Sequence, residues 1–84
     1  MDIADFRRKI DELEDELVLL LNERARYAKE IGRLKKEQGL PVIDSARESE
    51  ILDRVAAKTE GPFPPEAMRK LFSLIISETR KIEE

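Results

Sequence analysis

The chain has 84 residues, of which 42% are charged and 5% aromatic, with a formal net charge of −3 and neither cysteine nor histidine. Such a length allows one domain, residues 1–84, with a modest core. The acidic balance argues against nucleic acid or an anionic membrane as partner, and the missing residue types remove disulfides, thiol catalysis, most zinc sites and the usual general base. No apolar run reaches transmembrane length and no charged-then-apolar leader precedes the first helix, so a soluble, cytoplasmic protein is expected.

Helical spacing predicts three helices. The first runs from about Asp2 to Gln38, free of proline, with Ile10, Leu13, Leu17, Leu20, Tyr27, Ala28, Ile31 and Leu34 on one side and Gly39 as its C-terminal cap. Pro41 prevents its continuation. A second helix opens at Asp44 or Ser45, where Ser45 and Glu48 have the spacing of a capping box, and carries Ile51, Leu52 and Val55 before ending near Thr59, Glu60 and Gly61. After Pro62 and Pro64, a third begins at Pro65 and presents Met68, Leu71, Phe72, Ile75, Ile76 and Ile82. The fold class is therefore all-α: one long helix and two shorter ones.

The first helix would be about 55 Å long at 1.5 Å per residue. Two short helices can line it, but a monomer of that shape is mostly surface. Covering the stripe with the same helix of a second chain is the more favourable solution, and a homodimer is expected. A sustained coiled coil is the simpler alternative, weakened by the proline-rich connector and the third apolar helix.

Two cations break the stripe. Continuing the three–four alternation puts Arg24 on the apolar face, and Lys35 lies roughly 20° from it, three turns on. A guanidinium there costs several kcal/mol unless something anionic meets it. Either an internal acid such as Glu48 or Glu78 neutralises Arg24, or a ligand does. Arg7 precedes Arg24 by 17 residues, about 25 Å along the axis, too far to share a small ligand within one helix. In an antiparallel pair of first helices, Arg7 of one copy approaches Arg24 of the other, and three cations then predict a ligand with two or more negative groups. Each cation has a plainer reading: Arg7 in a solvated run with Arg8 and Lys9, Arg24 in a structural ion pair, Lys35 with its head in water.

Together the residues resemble the all-helical chorismate mutases. The matching segments are Phe6–Asp11, Leu20–Arg24, Ile31–Lys35, Pro41–Glu48 and Leu71–Ile76, specific in their order and spacing. The resemblance implies an intertwined dimer of three-helix chains with two sites built from both protomers. It implies the rearrangement of chorismate to prephenate in phenylalanine and tyrosine biosynthesis, with no cofactor, metal or nucleophile. By the same resemblance, Arg24 and the other protomer's Arg7 bind the two carboxylates, and Lys35 bridges a carboxylate and the ether oxygen. Glu48 accepts a hydrogen bond from the substrate hydroxyl, helped by the backbone near Asp44. Arg47 adds a charge contact, and Thr79 reaches a carboxylate or its water. Glu83 departs from the glutamine many members carry there: it donates to the ether oxygen only when protonated. Activity is then expected to rise as pH falls through its titration, unless this penultimate residue frays into solvent. Two rival readings share the residues: an isochorismate pyruvate lyase on the same fold, and a non-catalytic helical module.

Overall fold

The structure, a computed structural model covering residues 1–84, has the three expected helices and no strand: α1 (Ile3–Gln38), α2 (Ser45–Lys58) and α3 (Pro65–Glu83). Local chemistry accounts for their ends. Asp2 caps α1 by accepting the Asp5 amide at 3.0 Å, and the Asp5 carboxylate accepts the Asp2 amide at 3.1 Å, satisfying two donors that the first turn leaves free. At the other end Gly39 adopts φ 70°, a left-handed conformation that costs glycine little. Pro65 occupies the first helical position of α3, where its missing N–H removes no hydrogen bond.

One cap differs from expectation. The Ser45–Glu48 box does not form; Asp44 is the cap of α2, accepting the Arg47 amide at 3.1 Å. A carboxylate there gains from the helix dipole as well as from the hydrogen bond. The Glu48 side chain instead turns to Arg80 of α3.

α3 packs against both other helices, whereas α1 and α2 make no packing contact with each other. The small core consists of Ala28, Gly32, Ile51, Ala56 and Ile76. Gly32 sets the closeness of α1 and α3, because a Cβ there would lie 2.6 Å from the Glu83 carbonyl oxygen and 2.8 Å from its Cα. Only a residue without a side chain lets the last turn of α3 lie on α1 at this point. Arg69 and Asp53 add an ion pair of 2.9 Å between α3 and α2.

The molecule measures 55 × 23 × 15 Å with a radius of gyration of 15.8 Å, against about 12 Å for a globule of this length. Its accessible surface is 6929 Å², whereas a folded monomer of 9.7 kDa is expected to expose about 5,100 Å². Large apolar side chains contribute to the excess. From Ile3 to Glu23 no residue is buried and only Asp5 is half-buried; Ile10, Leu13, Leu17 and Leu20 are each more than half exposed. No helix is long and apolar enough to cross a membrane.

Candidate active site

Because α1 and α2 stand apart across α3, a cleft of about 280 Å³ opens between them. α1 contributes Arg24, Tyr27, Ala28, Ile31 and Lys35, residues that recur every three or four positions and so share one face. The link before α2 adds Val42 and Asp44, α2 adds Arg47, Glu48 and Ile51, and α3 adds Ile76, Thr79, Arg80 and Glu83. Seven of the eight residues singled out in the sequence thus meet in one place. Arg7 does not: it lies exposed on the uncovered half of α1.

Arg24 is half-buried and its Nη1 donates to Thr79 Oγ1 at 3.0 Å, while that hydroxyl donates to the Ile75 carbonyl at 2.6 Å. The internal acid offered as its alternative partner is absent, because Glu48 pairs with Arg80 and Glu78 with Lys81. A hydroxyl orients a guanidinium without neutralising it. Arg24 is therefore a cation at the cleft with no counter-ion in its own chain.

Lys35 does not extend into water. Its Nζ donates to the Val42 carbonyl at 2.8 Å and to Glu83 Oε1 at 3.4 Å, with the two side chains 18% and 10% exposed. Its place in the last turn of α1 also suits a positive charge. Glu83 ends α3 with its backbone against Gly32 of α1 and its side chain turned toward Lys35.

Glu48 receives both arms of a guanidinium: Arg80 Nε donates to Oε2 at 2.9 Å and Nη2 to Oε1. These hydrogen bonds are the main reason its carboxyl titrates below the usual carboxylate range; desolvation opposes them, the Arg80 charge adds to them, nearby Asp44 opposes and Lys35 assists. Glu48 is thus an ionised acceptor at neutral pH. Arg47 lies at the rim, exposed and paired with Glu50 on its own helix.

Arg80 is the charged lining residue that sequence reasoning missed. The signal was available: Phe72, Ile76 and Arg80 are spaced by four, so an arginine follows two apolar residues along one face, the same anomaly that marked Arg24. The apolar walls, Ile31, Ile51 and Ile76, are ordinary core residues in the sequence and acquire a role only once the cleft exists. No group of three or more His, Cys, Asp or Glu side chains is placed to hold a metal ion.

Arg24, Lys35, Arg47 and Arg80 outnumber Asp44, Glu48 and Glu83 at the cleft, and the pairings within the chain leave Arg24 as the free positive group. Such an arrangement defines a class: a small all-helical protein with a cationic cleft suited to an organic anion. The chain belongs to the chorismate mutase type II family, whose model matches residues 6–84. It is similar to a solved Thermus thermophilus chorismate mutase, with 43% identity and a TM-score of 0.94 over 96% of this chain and 92% of that one. A Helicobacter pylori chorismate mutase solved in complex with prephenate matches at 28% identity and a TM-score of 0.87, covering 96% and 88%. A bifunctional chorismate mutase/prephenate dehydratase of Aquifex aeolicus is 34% identical over 99% of this chain, which spans only 24% of that protein.

Proposed function

We propose that residues 1–84 form a single domain that converts chorismate to prephenate, a step toward phenylalanine and tyrosine, in the cytoplasm and as an intertwined homodimer. The observation that carries this reading is Arg24, a half-buried cation without a counter-ion, sharing a cleft with Lys35, Glu48 and Glu83. Chorismate is a flexible dicarboxylate whose ring hydroxyl and breaking ether bond each need a distinct contact. The reaction is unimolecular: the ether carbon–oxygen bond breaks as a carbon–carbon bond forms. It asks the protein to hold a compact reactive conformer and to stabilise negative charge growing on the ether oxygen.

Arg24 takes one carboxylate through its planar fork, with Thr79 orienting the guanidinium and reaching the carboxylate or its water. Arg7 from a second copy takes the other, which supplies the second cation a dianion requires. Lys35, held at the cleft by the Val42 carbonyl, bridges a carboxylate and the ether oxygen and stabilises the transition state. Glu48 accepts the hydrogen bond of the substrate hydroxyl, with the Asp44 backbone beside it, and Arg47 adds a positive charge at the rim. Glu83 donates to the ether oxygen in its protonated form, so Glu83→Gln, whose amide donates at any pH, should retain or raise activity.

The test is disappearance of chorismate with purified protein at several pH values, with isochorismate as a parallel substrate. Prephenate from chorismate is the expected product. Salicylate and pyruvate from isochorismate alone would assign the cleft to a lyase, and no turnover of either would leave a helical assembly module. Loss of turnover in Glu83→Gln would contradict the donor role given to Glu83.

A further inference from the structure

Glu48 makes no side-chain hydrogen bond except to Arg80. The other cations of the cleft are engaged elsewhere, Lys35 with Val42 and Glu83 and Arg47 with Glu50. A glutamate has three rotatable bonds, and one arm of a guanidinium or a point charge would leave its carboxylate free to turn. Two parallel N–H donors fix both its position and its plane. Each oxygen still has a lone pair available after accepting from Arg80. The pair also joins two helices, with Glu48 in the first turn of α2 and Arg80 in the last turn of α3, so the orientation is set by rigid elements.

We propose that Arg80 is a positioning residue whose fork holds the Glu48 carboxylate in the orientation that reads the ring hydroxyl of the substrate. The inference rests on the role given above to Glu48 and extends it: discrimination for the hydroxyl is a property of the pair. Joining α2 to α3 is not by itself the reason for this bridge, because Arg69 and Asp53 make an equivalent link at 2.9 Å away from the cleft. The hydroxyl carries no developing charge in the reaction. Its contact therefore contributes equally to ground and transition states, and its loss falls on KM more than on kcat.

The experiment measures kcat and KM of the full chain and its Arg80→Met, Arg80→Lys, Glu48→Gln and Arg69→Met variants. Two substrates are used: chorismate, and chorismate lacking the ring hydroxyl, which keeps both carboxylates and the ether bond. Arg80→Met should lower kcat/KM for chorismate on the order of tenfold to a hundredfold, the scale of a small misplacement in a site, while changing the deoxygenated substrate far less. Arg80→Lys should recover only part of the loss, Arg69→Met should alter neither substrate, and adding Arg80→Met to Glu48→Gln should have little further effect. Full rescue by lysine, or an equal penalty on both substrates in the Arg80 variants, overturns the positioning role. If Glu48→Gln discriminates between the substrates and Arg80→Met does not, the positioning role alone is overturned. If Glu48→Gln penalises both alike, the reading of Glu48 itself fails and takes the proposal with it.

Discussion

The two halves of α1 share one apolar spacing and have different surroundings. Between Arg24 and Gln38 the helix buries Ala28 and Gly32 against α3 and lines the cleft with Arg24 and Lys35. Before Arg24 it leaves Ile10, Leu13, Leu17 and Leu20 more than half exposed. Residue size accompanies the difference: alanine and glycine admit the end of α3, whereas leucines form knobs suited to a second helix of the same kind. The surface excess over a compact monomer, about 1,800 Å², is ample for a stable contact between two copies. In the proposed dimer, one half of the rod builds the site and the other forms the contact between copies. Arg7 lies on the exposed half and Arg24 on the cleft half, a gap that the proposed antiparallel pairing of two copies would close and one chain cannot.

The largest expected effect comes from attacking the exposed half. Leu17→Lys gives up the burial of a leucine in each copy, about 1.5–3 kcal/mol apiece, and adds a charge that must be desolvated. Sedimentation should find monomers, and both sites should lose activity together because neither retains Arg7. Next is Arg24→Ala, which leaves the assembly surface untouched. It should lower kcat/KM by about 10²–10³ while sedimentation still reports a dimer. A variant whose main change is a gain in stability with unaltered turnover would instead mark Arg24 as structural.

Smaller effects sharpen the covered half. Gly32→Ala improves helix propensity by about 1 kcal/mol, yet its Cβ meets the backbone of Glu83 at 2.6 Å, a group that cannot rotate away. Overpacking of this kind typically costs about 1–3 kcal/mol. A lower Tm and a lower kcat should appear together, because moving α3 separates Glu83 from Lys35. The smallest effect is an acid limb of stability. The Glu48 carboxyl titrates below its ordinary value of 4.5 in the folded chain, chiefly through its hydrogen bonds with Arg80. Between the folded and ordinary values the unfolded chain binds more protons, so the stabilisation is fully present above pH 4.5 and is lost as pH falls through the folded value. Solvent screening at the 40% exposed Arg80 side chain keeps it modest. Thermal melts of wild type and Glu48→Gln should converge as the pH drops through that window.

The helices were legible because their ends are written in local chemistry: Gly39, Pro41 and Pro65 act within a few residues of themselves. Asp44 and Ser45 were both competent caps, and it is Asp44 that takes the role while Glu48 turns to α3. Arg24 and Lys35 were legible because a charge on an apolar face breaks a periodic pattern. The Glu48–Arg80 pair was not, since its members are 32 residues apart and depend on how two helices cross. Gly32 was equally silent. A single glycine within a helical pattern carries no period, and its purpose is visible only in the backbone that passes over it.

Subunit complementation tests the central claim most directly. Arg7→Ala and Arg24→Ala chains should each be inactive as homodimers. Refolded together in equal amounts, half of the dimers are mixed, and each mixed dimer has one site with both arginines intact. Chorismate turnover should return to about a quarter of the wild-type value. A mixture that exchanges subunits and stays as inactive as its parents would contradict a site shared between two copies.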